Sequence, residues 1–305
     1  MRNHVIDFDA LAGRIKEIIY DYVSCRSFTN TEAERSVEDF FTGFLGKIPY
    51  FGSHPENRGL FDVPGDRLGR KVCWAMVCGS GPQTVVLVHH YDVVDVEDYK
   101  TLKDLAFSPD ALREALLAHK AMLPEDAQQD LESDAFLFGR GVCDMKGGGA
   151  IQYALLEQYA VLAEEGQLDG NVIVIGVPDE ENLSAGMRAA VRLLAQLKRQ
   201  YGLEYRMMLN SEPHQRKDFS QGIFSEGSVG KMMPFVYVRG FLSHAGKVFE
   251  GLNPVSVLSE IVCRTEVNMA YADVACPQNG ESGPGTDGEA APPPTWLYMK
   301  DSRRT

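Results

Sequence analysis

Three apolar runs in this chain end in the same way. The stretches "VVLVHHYD" (residues 85–92), "NVIVIGVPDEEN" (171–182) and "EYRMMLNSEP" (204–213) each begin with strand-forming residues and finish in imidazole or carboxylate groups. Apolar runs of this kind suit strands buried on both faces, as in parallel sheets, and such sheets present ligands and catalytic groups at the carboxyl ends of their strands. A fourth stretch, "DAFLFGRGVCDMKGG" (134–148), is expected to form a short strand and turn that delivers Asp144. The segments between have helical spacing, as in "GGGAIQYALLEQYAVLAEEG" (147–166) and "SAGMRAAVRLLAQLKRQ" (184–200). Strand and helix in alternation predict an α/β fold, with a mixed, largely parallel sheet flanked by helices.

The remaining patterns fit around that sheet. "DFDALAGRIKEIIYDYVS" and "NTEAERSVEDFFTGFLGKI" read as two opening helices, the second capped by Asn30 or Thr31. "RKVCWAMVCG" is a strand, "SGP" at 80–82 a turn, and the acidic residues 96–134 a mostly helical excursion from the sheet. Composition then excludes several classes of partner. A net charge of −13 is unsuited to nucleic acid or an anionic membrane, and a small-molecule substrate fits it better. The opening "MRNHVIDFDALAGRI" lacks a signal-peptide core and no apolar run spans a bilayer, so a cytoplasmic location is expected. Six cysteines without a CxxC pair read as reduced thiols.

Strand ends bring His90 and Asp92, Asp144, Glu180 and Glu181, and Glu212 toward one edge. Carboxylates gathered there repel one another at a cost of several kcal/mol unless cations compensate them. Oxygen and imidazole donors without thiolates suit zinc in a catalytic site, with manganese or cobalt as substitutes. Two neighbouring metals need one carboxylate as a bridge and a further one as base. On an extended chain His90 and Asp92 point the same way, and a carboxylate beside a ligating imidazole fixes its tautomer. The plainer alternative is a strand that simply ends in polar residues.

Taken together, "HHYDVVD", "GRGVCDMKGGGA", "PDEEN", "NSEP" and "GFLSHAGKVFEGLNP" resemble, in order and spacing, the co-catalytic zinc peptidases and deacylases. That family includes acetylornithine deacetylase, succinyl-diaminopimelate desuccinylase, aminoacylase and glutamate carboxypeptidase. The enlarged 96–134 segment and "APPPTWLYMKDSR" look most like its arginine-utilisation branch. The resemblance implies a zinc-exopeptidase-like catalytic domain and cleavage of an amide in an N-acyl amino acid or small peptide by metal-activated water. It implies two zinc ions, with His90, Asp144, Glu181 and Glu212 as ligands and Asp144 as the bridge. Asp92 becomes the carboxylate orienting His90, Glu180 the general base, and His244 a lid residue that stabilises the oxyanion. It further implies a cis peptide at Asp144–Met145 and a homodimer through the lid. The expected domains are a catalytic part at 1–228, a partial lid and dimerisation part at 229–276, in which "VGKMMPFVYVRGFLSHAG" starts as a strand, and a Gly/Pro-rich linker and tail at 277–305.

Other candidates receive plainer readings. His89 points away from His90 and is expected to pack or sit outside the metal shell, Cys143 to be buried, and Asp95 and Asp179 to be hydrogen-bonded or solvated. His54, His119 and His214 read as surface residues. The Gly147–Gly149 run lacks a following Lys and hydroxyl pair, so close helix approach is a better reading than phosphate binding. One departure from the family matters. Its members place a metal-ligating histidine near the carboxyl end, and here no histidine follows His244. The second metal site is therefore expected to be incomplete, and the chain to be either the amino-terminal part of a longer enzyme or a shortened, catalytically impaired member acting as a metal-binding or regulatory protein.

Overall fold

The structure is a computed structural model and describes residues 7–213 and 235–266. The chain divides into two compact units, Met1–Pro213 and His214–Thr305. The expected domain boundary at 228–229, the linker at 277–305 and His214 lie outside the described residues.

In the first unit, helix α1 (Phe8–Ser24) starts where the Asp7 carboxylate accepts from the Asp9 and Ala10 amides. A short 3-10 turn at Glu32–Arg35, capped by Thr31, leads into α2 (Ser36–Leu45), and α3 (Pro49–Ser53) opens on a proline. Five strands follow in sequence: β1 (Arg58–Asp62), β2 (Lys71–Val77), β3 (Gln83–His90), β4 (Asn171–Val177) and β5 (Glu204–Asn210). The acidic excursion holds α4 (Pro109–Ala118) and α5 (Glu125–Ser133), α6 (Gly148–Glu164) leads back to β4, and α7 (Ala185–Tyr201) joins β4 to β5.

The sheet order is β1-β2-β4-β3-β5. Strands β4, β3 and β5 run parallel, whereas β2 is antiparallel to both β4 and β1. Register places His90 opposite Val177 and Val88 opposite Asn210, so the three parallel strands end at one edge. Because β2 runs the other way, its first residues lie at that same edge, with Cys73 opposite Gly176.

Each face of the sheet has its own core, since side chains alternate along a strand. Val172 and Val174 of β4 pack with α1, α2 and α6, where Tyr22, Phe41, Phe44 and Tyr153 are buried. Ile173 and Ile175 face the other way, against Ala189, Ala190, Leu193, Leu194 and Leu197 of α7. The expected mixed α/β sheet flanked by helices is present.

Two local expectations fail. Residues 135–141 form no strand; instead the Arg140 amide ties the segment to the Ala106 carbonyl at 2.8 Å. In the second unit, residues 235–240 are not in a strand either, and the described part of that stretch makes one isolated bridge, Phe241 to Leu252. Helix α8 (Pro254–Thr265) follows, capped by Asn253. Among the described residues no helix is long and apolar enough to cross a membrane.

Candidate metal centre

The end of β3 buries His90 to 2% exposure. Its Nδ1 faces the Asp92 carbonyl at 3.0 Å, and since a carbonyl only accepts, Nδ1 carries a proton and Nε2 is turned toward the acids. Nε2 lies 2.9 Å from Asp144 Oδ1 and 3.7 Å from Glu212 Oε1. Ligand atoms of His90, Asp144 and Glu181 all fall within 4.8 Å of one another. Donors each about 2 Å from a common zinc stand roughly 3–4 Å apart, so the spacing and the nitrogen and oxygen donor types fit a divalent ion.

Each acid arrives by a different route. Asp144 sits on the irregular turn Val142–Gly147, whose Asp144–Met145 peptide is cis as the resemblance implied. Met145 and Lys146 take the buried side of that turn, which leaves the Asp144 side chain 54% exposed. Cys143 is exposed for the same reason, contrary to its expected burial. Glu212 follows β5 by two residues and accepts from the Asn210 side chain at 3.2 Å. Glu180 and Glu181 follow β4 on the turn that leads into α7.

The Asp92 carboxylate has more to hold than His90. Its Oδ1 is 3.5 Å from His90 Nδ1, but it accepts the Glu180 amide at 3.0 Å, while Oδ2 accepts the Glu181 amide at 3.1 Å and the Thr29 hydroxyl at 3.0 Å. One buried carboxylate thus ties the β3 end to the turn that carries both glutamates. His244 belongs to the second unit, where it is exposed and its Nδ1 accepts from the Gly246 amide at 3.1 Å.

The electrostatics are those of crowded acids around one cation. Burial disfavours the charged His90 imidazole, but Asp144, Asp92 and Glu212 outweigh it and push its pKa up to about 12. The hydrogen bond with His90 in turn lowers Asp144. Burial, reinforced by the negative charge of Asp144, raises Glu181 to about 7. A carboxyl held back from ionising in this way gains most from a nearby positive ion.

Behind the acids, His89 packs into the fold. Its Nδ1 donates to Gln152 Oε1 at 2.8 Å, since the Gln152 amide nitrogen donates to the Val88 carbonyl and the Ser211 hydroxyl, and Tyr22 OH lies 3.0 Å from Nε2. Close approach of α6 makes this possible: a Cβ on Gly149 would stand 2.7 Å from the His89 ring, and one on Gly148 2.3 Å from the Ser211 carbonyl. Burial lowers the His89 pKa to about 4 from an ordinary 6.5. Between these values the unfolded chain binds the proton and the folded chain does not. Stability is therefore full above pH 6.5 and falls as the pH drops toward 4, by about 3 kcal/mol at most. Urea unfolding of the wild type and His89→Gln should show their difference in stability shrinking by that order between pH 7 and pH 4. A flat difference would mean that His89 titrates normally.

Of the remaining candidates, Asp95 is exposed and accepts from the Glu97 amide, His119 is exposed, and His54 stacks on Tyr50 at 4.4 Å. Asp179 is buried and hydrogen-bonded. Five residues around the centre escaped the sequence reading: Tyr22, Thr29, Glu34, Arg70 and Gln152. Gln152 alone carried a usable signal, a polar residue one turn beyond the glycine run in the otherwise uncharged first half of α6, Gly148–Leu156.

Comparison with known proteins gives a consistent picture. The sequence pattern of peptidase family M20/M25/M40 matches residues 86–274. Protein YqjN of Bacillus subtilis is 35% identical over 287 residues, covering 93% of this chain and 49% of YqjN. Protein RocB of the same organism is 30% identical over 299 residues, covering 96% of this chain and 50% of RocB. Succinyl-diaminopimelate desuccinylase of Xanthomonas oryzae is 28% identical over 190 residues, covering 61% of this chain and 43% of that enzyme. The chain spans about half the length of the curated relatives it matches.

Proposed function

Because the chain belongs to peptidase family M20/M25/M40, we propose that it contributes the metal centre of a hydrolase that cleaves an amide bond in an N-acyl amino acid or small peptide. The observation that carries this reading is the meeting of His90, Asp144 and Glu181 within 4.8 Å at one sheet edge. His90, Asp144, Glu181 and Glu212 are the residues that would hold divalent ions, zinc by preference, with Asp144 the one that would serve two of them. When bound, such ions supply Lewis-acid activation of water and of the scissile carbonyl. Glu180 takes the proton from the attacking water and passes it to the amine that leaves, as a general base and then a general acid. Asp92 keeps His90 and the Glu180–Glu181 backbone in register through its bonds to both.

The test is hydrolysis of a panel of N-acyl amino acids and dipeptides by the full-length protein, metal-free and metal-loaded. The resemblance to the arginine-utilisation branch puts acyl-arginines and arginyl dipeptides first in that panel. Metal-dependent release of free amino acid supports the reading, and no hydrolysis by the metal-loaded protein sinks it. His244 is assigned to the oxyanion. In the full-length enzyme His244→Ala should lower turnover by a factor of about a hundred, the range seen when an oxyanion donor is lost, and leave metal affinity near wild type. Equal loss of both would make it a ligand, and unchanged turnover a bystander.

A further inference from the structure

Three consecutive backbone amides, those of Asp179, Glu180 and Glu181, donate to buried carboxylates. Asp92 takes the second and third, and Glu34 Oε2 takes the first at 2.9 Å. Glu34 is wholly buried and lies on the 3-10 turn before α2, far in sequence from any residue of the metal centre. Its other oxygen accepts from Arg70 Nη1 at 2.7 Å and from the Asn30 amide at 2.7 Å. The same Arg70 Nη1 reaches Asp179 Oδ1 at 2.8 Å, while Nη2 and Nε bind the two oxygens of Asp66 at 2.8 and 3.0 Å.

Asp179 is a demanding residue to hold. It sits at φ +67, a left-handed conformation that non-glycine residues adopt only where their surroundings enforce it. Its carboxylate also accepts from the Ala185 amide at 3.0 Å and the Asn182 side chain at 3.1 Å, so it caps the turn leading into α7. The direction in which Glu180 and Glu181 leave the sheet is set by that conformation. Arg70 and Glu34 grip Asp179 by its side chain and by its amide. A buried guanidinium shared among three carboxylates is no general stabiliser, because removing ions from water costs about as much as their pairing returns. What it supplies is a fixed geometry.

We propose that Glu34 and Arg70 are positioning residues for the metal centre, holding Asp179 so that Glu181 reaches the ion and Glu180 stands beside it. This rests on the metal-centre reading of the previous section. Among the described residues no hydrogen bond or ion pair joins Glu34 or Arg70 to the His90, Asp144 or Glu212 side chains, so their influence passes through the 179–181 backbone.

Titration of the metal-free chain with cobalt chloride, followed by visible absorption, tests this without any substrate. Glu34→Gln is nearly isosteric and should bind cobalt about tenfold or more weakly, the range seen when groups outside the ligand set are removed, with an altered absorption band. The spectra are taken at a temperature where circular dichroism shows the variant fully folded. Glu157→Gln, which breaks the ion pair between Arg14 of α1 and Glu157 of α6, serves as the control and should leave isotherm and band unchanged. If Glu34→Gln does not fold, Arg70→Lys keeps the charge but loses the fork that reaches Asp66, Glu34 and Asp179 together, and carries the same expectation. Wild-type isotherm and band in a folded variant would overturn the positioning role alone. A wild-type chain that binds no cobalt would overturn the metal-centre reading, and this one with it.

Discussion

Asp144→Ala is expected to lower the affinity of the chain for a divalent ion by more than about a hundredfold, while leaving the fold intact. Loss of groups outside the ligand set already costs ten to a hundredfold, and Asp144 is a candidate ligand, 2.9 Å from His90 and within reach of Glu181. The fold should survive because the side chain is 54% exposed and stands on a turn whose buried residues are Met145 and Lys146. The variant also removes the strongest favourable partner of the His90 proton, so the imidazole pKa should fall from about 12. Equilibrium dialysis against zinc and a proton NMR titration of His90 read the two effects separately. Zinc bound by the variant as by the wild type would remove Asp144 from the centre.

Glu180→Gln in the full-length enzyme should lower turnover by a factor of about a hundred or more with metal content unchanged, since the amide keeps the shape but cannot accept a proton. The backbone is indifferent to the change: the Glu180 amide still donates to Asp92, and the turn stays where Asp92 and Asp179 hold it. Metal lost from this variant, with Glu181→Gln retaining it, would reverse the roles of the two neighbours. Unchanged turnover would place the base elsewhere. The adjacent glutamates differ in surroundings, Glu180 being exposed and Glu181 half-buried, with the Glu181 carboxyl raised to about 7.

The candidate ligands were legible because periodicity and chemistry coincide in them. A buried strand has no use for an acid in its interior, so the first acid after an apolar run marks the strand end, and parallel strands bring their ends together. That rule brings the ends at His90, Asp179–Glu181 and Glu212 to one edge, while the choice of His90, Asp144, Glu181 and Glu212 as candidate ligands came from the family resemblance. The rule is silent on contacts outside the parallel strands. The 135–141 stretch reads as a strand in composition, yet its Arg140 amide is held by the Ala106 carbonyl outside the sheet. Cys143 was misjudged because burial on a short irregular turn depends on which side faces the protein, not on residue type.

The sequence by itself determined the α/β layering, the strands that carry the candidate ligands and the chemistry of the acids they deliver, since these depend on local pattern and on the parallel strands' common direction. Only the tertiary structure decided which residues stand behind those ligands. Arg70 immediately precedes β2, and before a parallel strand that position would lie at the edge opposite the candidate metal centre. Here β2 pairs antiparallel with β4, Cys73 opposite Gly176, so Arg70 arrives beside Asp179. Strand direction is settled by how the whole chain packs and leaves no mark on the residues of one strand. Glu34 comes from a turn 145 residues earlier than Asp179, and Thr29 from 63 residues before Asp92. Nothing local distinguishes these residues from ordinary surface ones, because a polar side chain becomes a buried hydrogen-bond partner only when the fold closes over it.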